Sequence, residues 1–168
     1  MAGARKPVIV RKFTRDWCAG YAGPEMRRDA AELEILDVSG KVIRIVWPQV
    51  KWVCYVRELP TSSTDPANPE RLLRKRFSIR PRTPGLLMRL TLTDGEEIEG
   101  LVANDLSLVD SAGLMLTPPD TRSNTQRIFV PHTAIQSLVV LSLIGASGRR
   151  ATGQAREQEP ELFPAERD

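Results

Sequence analysis

Two stretches of this sequence, 85 positions apart, share the same order of predicted elements and the same spacing of apolar residues. This repetition is the feature that most restricts which folds the chain can adopt. Residues 41–57 and residues 127–145 are each predicted to form a strand, a tight turn and a second strand, with a proline in the turn or next to it. Apolar residues recur at matching positions. The matching residues are Ile43, Ile45, Val50, Val53 and Val56 in the earlier stretch, and Ile128, Val130, Ile135, Leu138 and Leu141 in the later one. The pattern predicts one small β-barrel unit written twice.

The composition is typical of a globular chain outside the membrane. The 168 residues suffice for one large domain or two small ones, and 41% are hydrophobic and 27% charged. The longest apolar run, at residues 138–144, is far shorter than the ~20 residues of a membrane-spanning helix. Residues 1–7 lack the apolar segment of a secretion signal. We therefore expect a cytoplasmic protein without membrane insertion.

The sequence offers no recognisable catalytic or metal-binding motif. Cys18 and Cys54 belong to no Cys-x-x-Cys pair, and His132 is the single histidine. A zinc site needs about four clustered cysteine or histidine ligands. A lone histidine in a turn is more typical of a hydrogen-bonding residue than of a general base. We expect a non-enzymatic protein without metal or cofactor, with both cysteines free in a reducing compartment.

Five strands are predicted in each unit from alternating or β-branched runs bounded by turn residues. Gly20 and Gly100 lie inside the second strand of their units and predict bends. Turns are expected at Ser39-Gly40 and at Asp94-Gly95. In the first unit, at 7–59, the expected strands are 8–13, 17–21, 32–38, 41–46 and 51–57. In the second unit, at 85–145, they are 86–92, 97–102 continuing through 106–109, 114–117, and the two strands of the stretch 127–145.

The remaining segments read as connectors. Residues 60–84 form a linker rich in proline and arginine, with a short helix expected at 70–77, and residues 146–168 read as a disordered tail. The linker contains six basic residues and no acid between residues 71 and 82, whereas residues 91–145 are acidic. The six basic residues are Arg71, Arg74, Lys75, Arg76, Arg80 and Arg82. They form either a site for an anionic partner or a solvated connector.

The repeated unit resembles the Sm-like small β-barrel. In that family the fourth strand ends in an apolar-proline turn and a buried apolar residue opens the fifth strand, as in residues 128–131 followed by Ile135. The chain also resembles an uncharacterised bacterial family carrying such units, through segments at 10–13, 51–53 and 117–120. This resemblance covers residues 7–145 and implies an all-β fold of two tandem five-stranded Sm-like or SH3-like barrels. The RNA-binding signature of Sm proteins is not among these residues.

A second, shorter resemblance is to the PilZ domain, which binds cyclic di-GMP. Arg76 and Arg80 have the spacing of its Arg-x-x-x-Arg motif, and Asp105 and Ser107 match the start of its Asp-x-Ser-x-x-Gly motif. Asp110 stands where that motif ends in glycine. The resemblance implies a cyclic dinucleotide clamped by the two guanidinium groups.

These observations favour a binding or assembly module over an enzyme. The open edges of small barrels commonly pair with neighbouring strands, so a protein partner or self-association is the first expectation. Trp47 and Trp52 are candidate interface residues. Nucleic acid bound by the basic linker and a cyclic dinucleotide bound in the PilZ manner are the alternatives.

Overall fold

A computed structural model of the protein describes residues 5–23, 30–60, 73–120 and 122–145. The predicted disordered tail, Arg71 and the first three residues of the predicted helix at 70–77 lie outside these residues. Leu73 and Arg74 are helical, whereas Lys75, Arg76 and Phe77 are not.

The predicted all-β fold is confirmed, since ten strands account for nearly all regular structure in the described residues. In the first half, a 3-10 turn at Trp47–Gln49 separates the last two strands, as the stretch 41–57 predicted. The strands of this half are β1 (Lys6–Lys12), β2 (Trp17–Ala22), β3 (Glu32–Leu36), β4 (Val42–Val46) and β5 (Val50–Val56).

The second half repeats this order and adds one helical turn. The predicted continuation of a strand through 106–109 is wrong, because Ser107–Asp110 forms a helical turn, α1. Its first backbone N–H, from Ser107, donates to Oδ1 of Asp105 at 2.9 Å, and this local bond competes with strand pairing. The other elements are β6 (Gly85–Leu92), β7 (Glu97–Val102), β8 (Gly113–Thr117), β9 (Thr125–Pro131), a 3-10 turn at His132–Ala134 and β10 (Ile135–Ile144).

All ten strands belong to one antiparallel sheet in the order β10-β6-β7-β8-β9-β5-β1-β2-β3-β4. Each half contributes five neighbouring strands, ordered β5-β1-β2-β3-β4 and β10-β6-β7-β8-β9. The sequence predicted two units with a linker between them and said nothing of a contact between their strands. Hydrogen bonds between β5 and β9 join the two halves directly.

The pairing registers of the two halves correspond residue by residue. Val8 lies opposite Gly20 in the first half, and Met88 lies opposite Gly100 in the second. A Cβ atom at Gly20 would lie 2.4 Å from the carbonyl oxygen of Leu36, and one at Gly100 would lie 2.6 Å from Cβ of Leu116. Both glycines are therefore required where the next strand approaches closely. Two further pairs of opposed residues match between the halves. Leu33 opposite Ile45 corresponds to Leu114 opposite Val130. Val10 opposite Val53 corresponds to Leu90 opposite Leu138.

The sheet encloses two hydrophobic cores, and β5 contributes to both. Consecutive strand residues point to opposite faces of a sheet. Val53 accordingly enters the first core, whereas Trp52, Cys54 and Val56 enter the second. Val50 also enters the first core, because the register with β1 shifts between Trp52 and Val50. The first core also contains Val8, Val10, Ala22, Leu33, Ile35, Ile45 and Phe129. The second also contains Ile9, Met88, Leu90, Leu92, Ile98, Val102, Leu114, Leu116, Ile128, Val130 and Ala134.

Candidate interaction surface

Strand β10 forms one open edge of the sheet and carries the largest group of exposed apolar side chains in the described residues. It pairs with β6 on one side, and within the described part of the chain no strand pairs with its other side. The exposed fractions range from 40% to 58% for five of its residues. These residues are Leu138, Val139, Val140, Leu141 and Leu143. We call the exposed row Leu138–Leu141 the β10 edge.

The corresponding strand of the first half is buried. Val53 and Cys54 occupy the positions that Leu138 and Val139 occupy in the second half, as the pairings with β1 and β6 show. Val53 is 0% exposed and Cys54 is 2% exposed, against 49% for Leu138 and 56% for Val139. The difference arises because β9 covers the edge of β5.

The opposite edge of the sheet, β4, has a different chemistry. Arg44 pairs with Glu34 on the neighbouring strand, and its Nε lies 2.8 Å from Oε1 of Glu34. Both side chains are more than half exposed. A charged pair at an edge keeps it in contact with water and disfavours the addition of another strand. The β4 edge therefore carries a charged pair between the exposed residues Val42 and Val46, whereas β10 carries no charged side chain.

The basic segment predicted as an anion site is partly neutralised by acidic residues of the second half. Nζ of Lys75 lies 2.5 Å from a carboxylate oxygen of Asp120, and this bond is the largest of the causes that lower the pKa of Asp120. Arg76 lies 3.5 Å from Glu97 and 3.2 Å from Glu99. These contacts fasten the segment to β7 and to the loop before β9.

Glu99 is the centre of this attachment. Its side chain is only 5% exposed, and it accepts hydrogen bonds from Nε of Arg89 at 3.0 Å and Nη2 at 2.7 Å. The backbone N–H of Phe77 also donates to it, at 3.4 Å. Arg76 approaches from the segment, as described above. A buried carboxylate needs such compensation, so Glu99 explains why cations gather here.

The other described basic residues of the segment are exposed. Arg74 and Arg82 are exposed, and Arg80 donates from Nη2 to the carbonyl oxygen of Leu143 at 3.1 Å. Asp105 and Ser107, which the PilZ resemblance placed on a strand, lie instead on the exposed turn at α1. The hydrogen bond from the side chain of Ser107 is the first cause of the lowered pKa of Asp105.

Lys51 links the two halves through a second ion cluster. Its side chain is 5% exposed, and Nζ contacts the carboxylates of Asp94 and Glu96 on the β6–β7 hairpin. The ammonium group also lies 5.0 Å from the centre of the Trp52 ring. Burial alone would raise the pKa of Asp94, but the hydrogen bond from Lys51 and its charge contribute to a net lowering. The cluster is a contact between halves rather than an open acidic site.

The two candidate interface tryptophans lie inside the protein. Trp52, a candidate interface residue, is 1% exposed and belongs to the second core, where it packs one half against the other. Trp47 is half-buried in its 3-10 turn and meets the ring of Phe129 edge to face, with ring centres 5.9 Å apart. Both aromatic residues stabilise the contact between the halves.

The cysteines and the histidine form no catalytic arrangement in the described residues. Both thiols are free. Burial raises the pKa of Cys54 to about 12, and burial likewise raises the pKa of Cys18. His132 is exposed in the turn before β10. Within the described ranges, no group of three or more His, Cys, Asp or Glu side chains is placed to hold a metal ion.

An open groove of about 520 Å³ lies along β2, β3 and β4. Its lining combines apolar side chains, such as Tyr21, Val42 and Val46, with the carboxylates of Glu32 and Glu34. It borders Gly23 and Ala30, on either side of a gap in the described residues. None of the helices in the described ranges is long and apolar enough to cross a membrane.

Comparison with known proteins gives a family and no activity. No curated protein and no solved structure matches the chain. One family model matches residues 4–142, which is most of the chain and includes both halves of the sheet. The chain therefore belongs to the family of unknown function DUF6982.

Proposed function

We propose that this protein is a non-enzymatic assembly module that binds a protein partner by adding a strand to the β10 edge. The observation that carries the proposal is the exposure of the β10 edge on both faces, at 40% to 56% for its four residues. Edge strands offer unpaired backbone donors and acceptors to an incoming strand, and exposed side chains beside them supply apolar contact.

In this proposal the chain consists of two fused Sm-like units. The common strand order of the halves and their matching registers support an origin by repetition. The 3-10 turns at Trp47–Gln49 and His132–Ala134, each between the last two strands of its half, support it further. Repeated units that pair through their strand edges leave one open strand edge at each end of the array. Here these edges are β4 and β10, and β10 is the one without a charged side chain.

The β10 edge is a better candidate for the binding site than the basic segment is. Lys75 and Arg76 already have carboxylate partners, and Arg80 bonds to the backbone of β10. An anionic ligand would have to displace these contacts. Pairing along Leu138–Leu141 leaves these contacts in place, because the bond of Arg80 lies at Leu143, beyond the β10 edge.

The test is site-specific cross-linking in native cells. A photoreactive amino acid replaces Val139 on the β10 edge, and in a matched control it replaces Val38, which is 77% exposed in the hairpin between β3 and β4. We expect a defined protein adduct from position 139 and none from position 38. Adducts of equal yield at both positions, or none at position 139, would overturn the proposal.

A further inference from the structure

We propose, resting on the function proposed above, that the partner of β10 is β10 of a second copy, paired antiparallel around a two-fold axis. Two ten-stranded sheets then join into one continuous sheet. The inference rests on three observations: the chemistry of the β10 edge, the way β5 is covered within the chain, and the unsuitability of β4 as a partner.

The β10 edge is apolar on both faces. Leu138 and Val140 lie opposite Leu90 and Met88 of the second core, so they extend that core to the edge. Val139 lies opposite Arg89 on the other face. Directly opposed residues of antiparallel strands share a face, so a second strand alongside β10 would cover side chains on both faces.

The junction between β5 and β9 shows how a neighbouring strand buries the side chains of such an edge. Val53, the counterpart of Leu138, lies opposite Phe129 across this junction, and both are 0% exposed. Cys54, the counterpart of Val139, lies opposite Ile128, which is also 0% exposed. A strand of this kind is therefore completed by an apolar neighbour on each face.

Strand β4 is the counterpart of β9 and keeps an apolar residue, Ile43, in the place of Ile128, but it carries Arg44 in the place of Phe129. Glu34 and Arg44 pair across β3 and β4 where Met115 and Phe129 pair across β8 and β9. Docking β4 of another copy beside β10 would press a guanidinium group against Leu138. Removing that charged pair from water costs on the order of several kcal/mol for each ion, as is general for ions buried in proteins. Head-to-tail assembly is thus disfavoured.

A second β10 meets these requirements. Residues 135–144 contain no charged side chain, so two copies can lie side by side without opposed like charges. A two-fold contact is self-complementary, because each copy presents the same apolar row to the other. Arg80 already donates to the carbonyl of Leu143 near the end of β10, so the contact is expected along the residues before Leu143.

The test measures the mass of the purified full-length protein in solution from about 1 to 100 μM, the range in which micromolar affinities become visible. We expect the wild type to dimerise. Val139→Lys on the β10 edge should weaken the dimer by at least about tenfold in Kd. Val38→Lys, an exposed control, and Val42→Lys on β4 should leave dimerisation unchanged. Val139→Thr, which keeps a β-branched side chain, replaces Val139→Lys if the lysine variant does not fold.

Each outcome separates this inference from the proposed function. A dimer that Val42→Lys also weakens, or that forms only when Val42→Lys and Val139→Lys chains are mixed, indicates head-to-tail pairing and overturns the two-fold arrangement. A monomeric wild type at all concentrations overturns self-pairing. In that case a cross-link from position 139 to a different protein would still support strand addition, whereas no cross-link would overturn both.

Discussion

Val53 and Phe129 lie directly opposite each other where the two halves of the sheet meet, and neither is accessible to solvent. Phe129 belongs to a strand of the second half, yet its side chain packs in the first core. The halves consequently share hydrophobic surface as well as backbone hydrogen bonds, and neither core is complete without the other half.

Replacement of Phe129 by alanine should destabilise the whole chain. The substitution removes a fully buried ring and its edge-to-face contact with Trp47, and such changes cost about 3–5 kcal/mol. Chemical denaturation followed by circular dichroism measures the change in the free energy of unfolding. The exposed control Val38→Ala should change it by less than about 0.5 kcal/mol. A loss below about 1 kcal/mol for Phe129→Ala would contradict a shared core.

Arg89→Gln should destabilise the protein because it leaves the buried carboxylate of Glu99 with fewer donors. Hydrogen bonds to charged groups contribute about 1.5–3 kcal/mol, so a loss within about 1–3 kcal/mol is expected. Thermal melts of the variant and of Arg74→Gln, which changes an exposed arginine of the basic segment, provide the comparison. Equal effects of the two substitutions would show that Glu99 does not depend on Arg89.

The contact of Asp94 with Lys51 should make part of the stability depend on pH. The pKa of Asp94 is lower in the folded protein than in the unfolded chain, so the ionised form favours folding. This contribution is fully present above about pH 4, the ordinary range of an aspartate, and is lost as the pH falls through the folded-state pKa. Asp94→Asn should therefore cost stability at neutral pH and progressively less in acid.

Urea denaturation of wild type and Asp94→Asn at several pH values measures this difference. The double variant with Lys51→Met is the control, because without the ammonium group the Asp94→Asn substitution should cost less at neutral pH. A difference between wild type and Asp94→Asn that stays constant from neutral pH to about pH 3 would contradict the assignment.

Cys54 should resist thiol reagents in the folded protein. It is 2% exposed, and its pKa of about 12 leaves almost no reactive thiolate at neutral pH. Titration with a chromogenic disulfide should label Cys18 slowly, since that thiol is half-buried and its pKa is also raised. Cys54 should react only after denaturation. Rapid labelling of a Cys18→Ser variant under native conditions would contradict the burial of Cys54.

Local sequence patterns were sufficient to predict most strands of this protein. β7 was predicted to begin at Glu97, as it does, and the turn between the last two strands was recognised in both halves. Gly40 and Gly95 adopt positive φ angles of 86° and 83° at the two predicted hairpin turns. Alternation and turn chemistry act between residues close in the chain, so they can be read without the fold.

The fate of the repeated apolar positions was decided by tertiary structure alone. Val53 and Leu138 occupy matching places in the sequence pattern, but one is 0% exposed and the other 49%. Similarly, Trp52 was a candidate interface residue and lies in the second core. In each case the outcome depends on which strand lies alongside. The pairing of β5 with β9 joins residues 69 to 76 positions apart, and no local pattern encodes a contact between edges so distant in the chain.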